Sequence, residues 1–176
     1  MPPQPGHHEQ MAASSWVERY AALVPAGETV LDVAAGGGRH SRLFAGLKHP
    51  VVAVDRDTAL LRGLTGVEII ASDLEDGNPW PFGDRRFGGV VVTNYLHRPL
   101  LPAIVAAVAP GGALLYETFA AGNERFGKPS NPAFLLRPGE LLEAVRGRLR
   151  VVAYEDVEVT APKPAMVQRI AAVNAR

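Results

Sequence analysis

The stretch that decides the fold is residues 29–40, Thr29-Val30-Leu31-Asp32-Val33-Ala34-Ala35-Gly36-Gly37-Gly38-Arg39-His40. Its first five residues are dominated by β-branched and aliphatic side chains and read as a buried strand. Glycines 36–38 follow almost at once, permitting a tight turn and a close approach of the backbone to a ligand. A helical pattern around residues 41–47 comes next, so the turn also presents the free N–H groups of a helix N-terminus. Strand, glycine turn and helix in this order open a parallel sheet covered by helices.

The same alternation extends in both directions. Upstream, Ser14-Ser15 can cap a helix carrying Trp16, Val17, Tyr20, Ala21 and Leu23-Val24, stopped by Pro25-Ala26-Gly27. Trp16 and Tyr20 read as core. Downstream, a second strand over residues 51–54 is closed by Asp55, a short helix is expected over 58–64, and a third strand over 67–71 is closed by Ser72-Asp73. Residues 75–86 are rich in turn formers, with Trp80 and Phe82 as anchors and Arg85-Arg86 as a solvated pair. A fourth strand is expected over 89–93, a helix over 100–108, a turn at 110–112 and a fifth strand over 113–117. A turn-rich segment over 120–138 precedes a last helix over 139–146 and two strands over 149–159 and 166–173. The connection between those strands is too short for a crossover helix, so they must be antiparallel. The predicted fold class is α/β: a doubly wound, seven-stranded, mostly parallel sheet with an antiparallel C-terminal hairpin and helices on both faces. Residues 14–176 form one domain, preceded by a flexible arm over 1–13.

Composition narrows the partners. Lys+Arg and Asp+Glu are both 18, which argues against a broad basic face for nucleic acid. With no cysteine, disulfides, thiolate catalysis and cysteine-ligated zinc are excluded, and no metal site is expected. No apolar run approaches the roughly 18 residues that span a bilayer, so no membrane partner is expected. The opening MPPQPGHHEQ lacks the pattern of a signal peptide, which makes a cytoplasmic location the expectation, with His7 and His8 solvated.

Asp32, Asp55 and Asp73 stand at the ends of the first three strands, which share one rim in a parallel sheet. Asp55 lies 23 residues after Asp32, a spacing that suits a carboxylate accepting from ribose hydroxyls. Asp73 could accept from the exocyclic amine of adenine. A carboxylate after a strand can also cap the next helix. Three in this order beside a glycine turn favour the ligand reading.

On these residues, from about Trp16 to Val173, the chain resembles the class I, seven-stranded S-adenosylmethionine-dependent methyltransferases. Residues 30–39 resemble the family's first motif, with Ala34 in place of its first glycine. Residues 51–55, 71–74 and 90–94 resemble the second, third and fourth, and Ala109-Pro110-Gly111-Gly112 the usual lead into the fifth strand. The resemblance implies S-adenosyl-L-methionine as cofactor. Asp32, Ala34, Gly36 and Gly38 would cradle its methionine part, Asp55 its ribose with Arg56 alongside, and Ser72, Asp73 and Leu74 its adenine. The Asn94 backbone would lie beside the methionine amino group and sulfonium.

Transfer from a sulfonium is an in-line displacement governed by proximity, with a base needed only where the acceptor must lose a proton. Tyr95 and His97 follow the fourth strand and are the expected catalytic pair at the acceptor site. A histidine before Arg98-Pro99 could equally cap the next helix. Asn94 is not followed by the two prolines and aromatic of many amide and base N-methyltransferases, so a small-molecule acceptor is expected. The alternatives are a methyltransferase acting on RNA or protein and a catalytically silent cofactor-binding module. A nicotinamide-dependent dehydrogenase would need a third glycine where Arg39 stands. Within segment 120–138, residues 122–136 are expected to form a mobile cover, with Gly122 and Gly127 permitting hinge motion and Phe126 and Phe134 sealing the site; the alternative is a fixed surface loop packed by the two phenylalanines.

Overall fold

The computed structural model describes residues 12–175. The arm expected over 1–13, with His7 and His8, lies outside them except for Ala12 and Ala13. Seven strands form one sheet in the order β3-β2-β1-β4-β5-β7-β6: β1 (Val30–Val33), β2 (Val51–Asp55), β3 (Val67–Ala71), β4 (Phe87–Thr93), β5 (Val108–Phe119), β6 (Arg150–Val159) and β7 (Ala165–Val173). The first five run parallel, and β7 pairs antiparallel with both β5 and β6. The predicted fold class holds.

Alternation along the strands explains the layering, because successive side chains point to opposite faces. Val30, Val51, Val91, Leu115 and Ala171 pack with Trp16, Val17 and Phe44 of α1 (Ser15–Tyr20) and α2 (Arg39–Gly46). Their neighbours Leu31, Val52, Val90, Leu114 and Ile170 pack with Ile104, Val105, Leu141 and Val145 of α3 (Leu101–Ala106) and α4 (Glu140–Val145). Each fully buried aliphatic side chain contributes about 1.5–3 kcal/mol. Among the described residues no helix is long and apolar enough to cross a membrane.

Three segments depart from expectation. Residues 58–64 hold only a single 3-10 turn, Ala59–Leu61, because Arg62 is extended and Gly63 turns left-handed at φ 86°. The fifth strand starts at Val108 rather than 113. The expected turn at Pro110-Gly111-Gly112 survives inside it as an irregularity, which the register against β4 skips. Gly112 is required there, since a Cβ would lie 2.8 Å from the Gly88 carbonyl oxygen. The helix expected over 100–108 is split between a 3-10 turn, Arg98–Leu100, and α3.

Candidate functional site

The parallel register brings the carboxyl ends of β1, β2 and β3 into one row, with Val33 beside Val54 and Asp55 beside Ala71. Asp32 is buried near the end of β1, and its Oδ2 accepts from the Ser41 hydroxyl on α2 at 2.7 Å. Burial pushes its pKa up to about 6, against the opposing pull of the Ser41 bonds and Arg39. In the turn that follows, every second residue is left-handed: Ala34 at φ 53°, Gly36 at 55° and Gly38 at 79°. At Ala34, which stands in place of the motif's first glycine, this conformation costs about 1–2 kcal/mol for an L-residue. Gly38 is needed for packing as well, because a Cβ would lie 2.8 Å from Leu61 Cδ2 and Leu64 Cδ1. In front of Gly36 nothing lies within 4 Å of a Cβ position, so the turn faces open space.

Asp55 closes on that turn. Its Oδ2 accepts from the Gly36 N–H at 2.9 Å and its Oδ1 from the Asp57 N–H at 3.0 Å. Asp73 Oδ1 accepts from the Glu75 N–H at 2.9 Å. The bonds made by Asp32, Asp55 and Asp73 are therefore to a hydroxyl, a glycine turn and local turns, and α2 has no side-chain cap. Each carboxylate of Asp55 and Asp73 keeps lone pairs for further donors. Arg56 is exposed beside Asp55, Ser72 donates its N–H to the Asp55 carbonyl at 3.0 Å, and Leu74 packs against the apolar layer.

Beyond β4 the chain is held by its backbone. Asn94 is left-handed at φ 53° and exposed, and its N–H donates to the Glu117 carbonyl at 3.0 Å. The buried Tyr116 hydroxyl donates to the Tyr95 carbonyl at 2.8 Å. The Tyr95 ring packs against the same apolar layer as Ala34, Ile70 and Leu74. Its hydroxyl oxygen is buried and meets no hydrogen-bond partner among the described residues. Burial, then the negative charges of Glu75, Asp73 and Asp55, push its ionisation well above the usual tyrosine range. Glu75 acts on it without reaching hydrogen-bond geometry. The carboxylates that act on the Tyr95 hydroxyl stand at or just beyond the ends of β2 and β3, while the hydroxyl itself acts on Tyr116 of β5. His97 makes no cap bond to the following turn; its Nδ1 lies 3.2 Å from Glu75 Oε1.

Several residues that sequence reasoning missed frame this rim. His40 Nε2 accepts from the Ser14 N–H at 3.0 Å, which leaves the proton on Nδ1, 3.3 Å from the Thr93 hydroxyl. Burial, aided by Arg39, drives the His40 pKa down to about 3, so the ring stays neutral. Ser14 Oγ donates to Glu117, which also takes Arg169, and Arg169 continues to Glu155. Arg98 donates to both carboxylate oxygens of Glu140, at 2.7 and 2.9 Å, and to the carbonyls of Ala133 and Leu135. Although burial works the other way, these bonds hold the Glu140 carboxyl below its ordinary pKa. Segment 120–138 is therefore pinned: Leu135 and Leu136 are buried, and Asn123 bonds Pro129 and Met166. Phe126 and Phe134, expected to seal a pocket or pack the loop, are exposed. No sequence signal marked the partners of His40, Arg98 or Arg169, which lie far along the chain.

No known family model and no curated protein matches this chain. Solved structures do. TehB from Haemophilus influenzae superposes with a TM-score of 0.72 at 18% identity, over 94% of this chain and 64% of its own. This chain thus spans about two thirds of that protein's length. A TehB-like SAM-dependent methyltransferase from Corynebacterium glutamicum gives 0.64 at 18% identity, over 90% of this chain and 86% of its own. The 1,6-didemethyltoxoflavin-N1-methyltransferase of Burkholderia thailandensis, solved with 1,6-didemethyltoxoflavin and S-adenosylhomocysteine, gives 0.63 at 21% identity, over 92% and 79%. With its strand order, antiparallel final strand and glycine turn after β1, the chain has the class I methyltransferase fold.

Proposed function

We propose that this chain is an enzyme that binds S-adenosyl-L-methionine along the carboxyl ends of β1–β4 and transfers its methyl group to a small-molecule acceptor. The observation that carries the reading is the turn at Ala34, Gly36 and Gly38, left-handed at alternate residues and open at Gly36, with Asp55 closed upon it. The residues present suit such a cofactor. Asp32, Ala34, Gly36 and Gly38 shape the cradle for its methionine part, and the spare lone pairs of Asp55 suit ribose hydroxyls, with Arg56 alongside. Ser72, Asp73 and Leu74 would hold its adenine, and the Asn94 backbone would flank the sulfonium. When bound, the cofactor supplies a methyl group already activated on sulfur, so orientation by these residues is the main catalytic requirement.

Where the acceptor must lose a proton, His97 takes it. Glu75 beside Nδ1 favours the tautomer that leaves Nε2 free to accept. The small acceptor is supported by the Burkholderia neighbour, solved with 1,6-didemethyltoxoflavin, and by the balanced charge of the chain. Titration calorimetry with S-adenosylmethionine and S-adenosylhomocysteine tests the cofactor: binding of both is expected, and heat from neither at millimolar ligand would remove the reading. Labelled cofactor incubated with cell extract, followed by mass identification of the product, tests the acceptor. Label appearing only in RNA or protein would overturn the small-molecule assignment.

A further inference from the structure

A buried tyrosine hydroxyl without a partner loses hydration and gains nothing in return, so phenylalanine would suit the free protein better at that place. Tyr95 is such a case. Its backbone is fixed on both sides, by the bond from Tyr116 to its own carbonyl and by that from Asn94 to Glu117. Its ring rests on an apolar layer shared with Ala34, Ile70 and Leu74. The charges that act on its hydroxyl belong to Asp55, Asp73 and Glu75, all at or just beyond the ends of β2 and β3. Those three groups, ionised, can only accept hydrogen bonds. They suit the ribose hydroxyls and exocyclic amine of a nucleoside but have nothing to offer the ring nitrogens of its base, which are acceptors. A protonated phenol is a donor.

We propose that the Tyr95 hydroxyl donates a hydrogen bond to the nucleoside half of the bound cofactor, which makes Tyr95 a cofactor-reading residue and not part of the acceptor site. The proposal rests on the S-adenosylmethionine reading above and adds to it a side-chain donor among acceptors.

The test is Tyr95→Phe, followed by two measurements: denaturation of the free protein, and calorimetric affinity for S-adenosylhomocysteine and for adenosine. Loss of one neutral hydrogen bond should weaken both ligands by a similar factor, about three- to tenfold. The free variant should be at least as stable as wild type, because nothing was bonded to the lost hydroxyl. Stability unchanged or raised while affinity falls is a combination that a packing role does not produce. Unchanged affinity for both ligands would overturn the proposal. So would a loss confined to S-adenosylhomocysteine, which would put the contact on the amino-acid half. A free variant clearly less stable than wild type would show the hydroxyl already bonded, to Glu75, and would overturn it too. Wild type binding neither ligand is a different failure, that of the cofactor reading itself, and takes this proposal with it.

Discussion

Beyond the ends of β2 and β3 many side-chain bonds are short in sequence, Asp55 to Asp57, Asp57 to Ala59, Asp73 to Glu75 and Asp76 to Asn78, with the bond from Gly36 to Asp55 as the longer exception. At the ends of β4–β7 they are long: Ser14 reaches Glu117, Arg169 reaches Glu117, and Arg98 reaches Glu140 across 42 residues. Cover differs in the same sense. Beyond α2, which packs on β1 and β2, the first half has only a single 3-10 turn after β2 and a loop between β3 and β4, and β3 is a partly exposed edge. Around β5 and β7, α1 packs on one face and α3 and α4 on the other. Local turns hold carboxylates in shape while leaving them reachable, whereas long bonds between part-buried groups fix a frame. The half proposed to take the cofactor is accordingly the open one, and the other half supplies rigidity.

That contrast can be broken by variants whose effects fall on the wrong side of it. The largest effect is expected at the boundary between the halves. His97→Ala should slow the chemical step by about 10²–10⁴-fold, with cofactor affinity nearly unchanged. Single-turnover rates beside calorimetry would check this, and full activity in a stable variant would leave proximity as the whole of catalysis. In the frame, Arg98→Ala strands the nearly buried Glu140 carboxylate with only the exposed Arg137 beside it. About 2–4 kcal/mol should be lost in urea denaturation, a little under the full cost of breaking a buried pair because Arg98 is 30% exposed. Cofactor affinity should change little; a larger change in affinity than in stability would dissolve the division between frame and site. In the open half the pattern reverses: Asp55→Ala should weaken S-adenosylhomocysteine at least tenfold, a charged hydrogen bond being worth about 1.5–3 kcal/mol. Its denaturation midpoint should move less than that of Arg98→Ala.

A slope with pH gives a further test. The His40 pKa is lowered from 6.5 to about 3, so between these values the unfolded chain binds a proton that the native ring refuses. Its contribution to stability is present above pH 6.5 and is lost as pH falls. The Asp32 pKa is raised from 3.8 to about 6, so its contribution has the opposite sign: full below 3.8 and lost as pH rises to 6. Where the two windows overlap they oppose one another. The stability gap between wild type and His40→Asn should therefore narrow as pH falls from 6.5 toward 3, and that between wild type and Asp32→Asn should shift the other way. Parallel curves for either variant would place the ring or the carboxyl in water.

The central strands were legible because β1, β2 and β4 are short, mostly aliphatic runs buried on both faces. The rim was legible for a related reason. Asp55 closes β2, Asp32 stands one residue before the end of β1 and Asp73 two beyond the end of β3, and a parallel sheet puts such ends in one row. The conformation of Ala34 was not, since nothing in an alanine announces a positive φ when its neighbours impose one. Residues 58–64 carry a helical spacing that Gly63 and Gly66 cut short. His40 and Ser14, or Arg98 and Glu140, are joined only by tertiary packing, and local pattern carries no trace of such pairs. Phe126 and Phe134 misled for the converse reason: aromatic side chains suggested a seal, while the loop is anchored through Leu136, Asn123 and Arg98.

The placement of β7 between β5 and β6 has a consequence for the order in which the molecule can be completed. During synthesis β1 through β5 emerge first, and until residues 165–173 follow, the apolar edge of β5 has no partner. The first helix waits as well, since the Trp16 indole donates to the Ile170 carbonyl at 3.1 Å. β6 and β7 can pair on their own as a hairpin, which then docks through β7 as a unit. A nascent chain halted before Ala165 would present a long bare strand edge, the surface from which chains pair with one another. The last strand of the sheet in chain order is thus the one that gives the edge of β5 its partner.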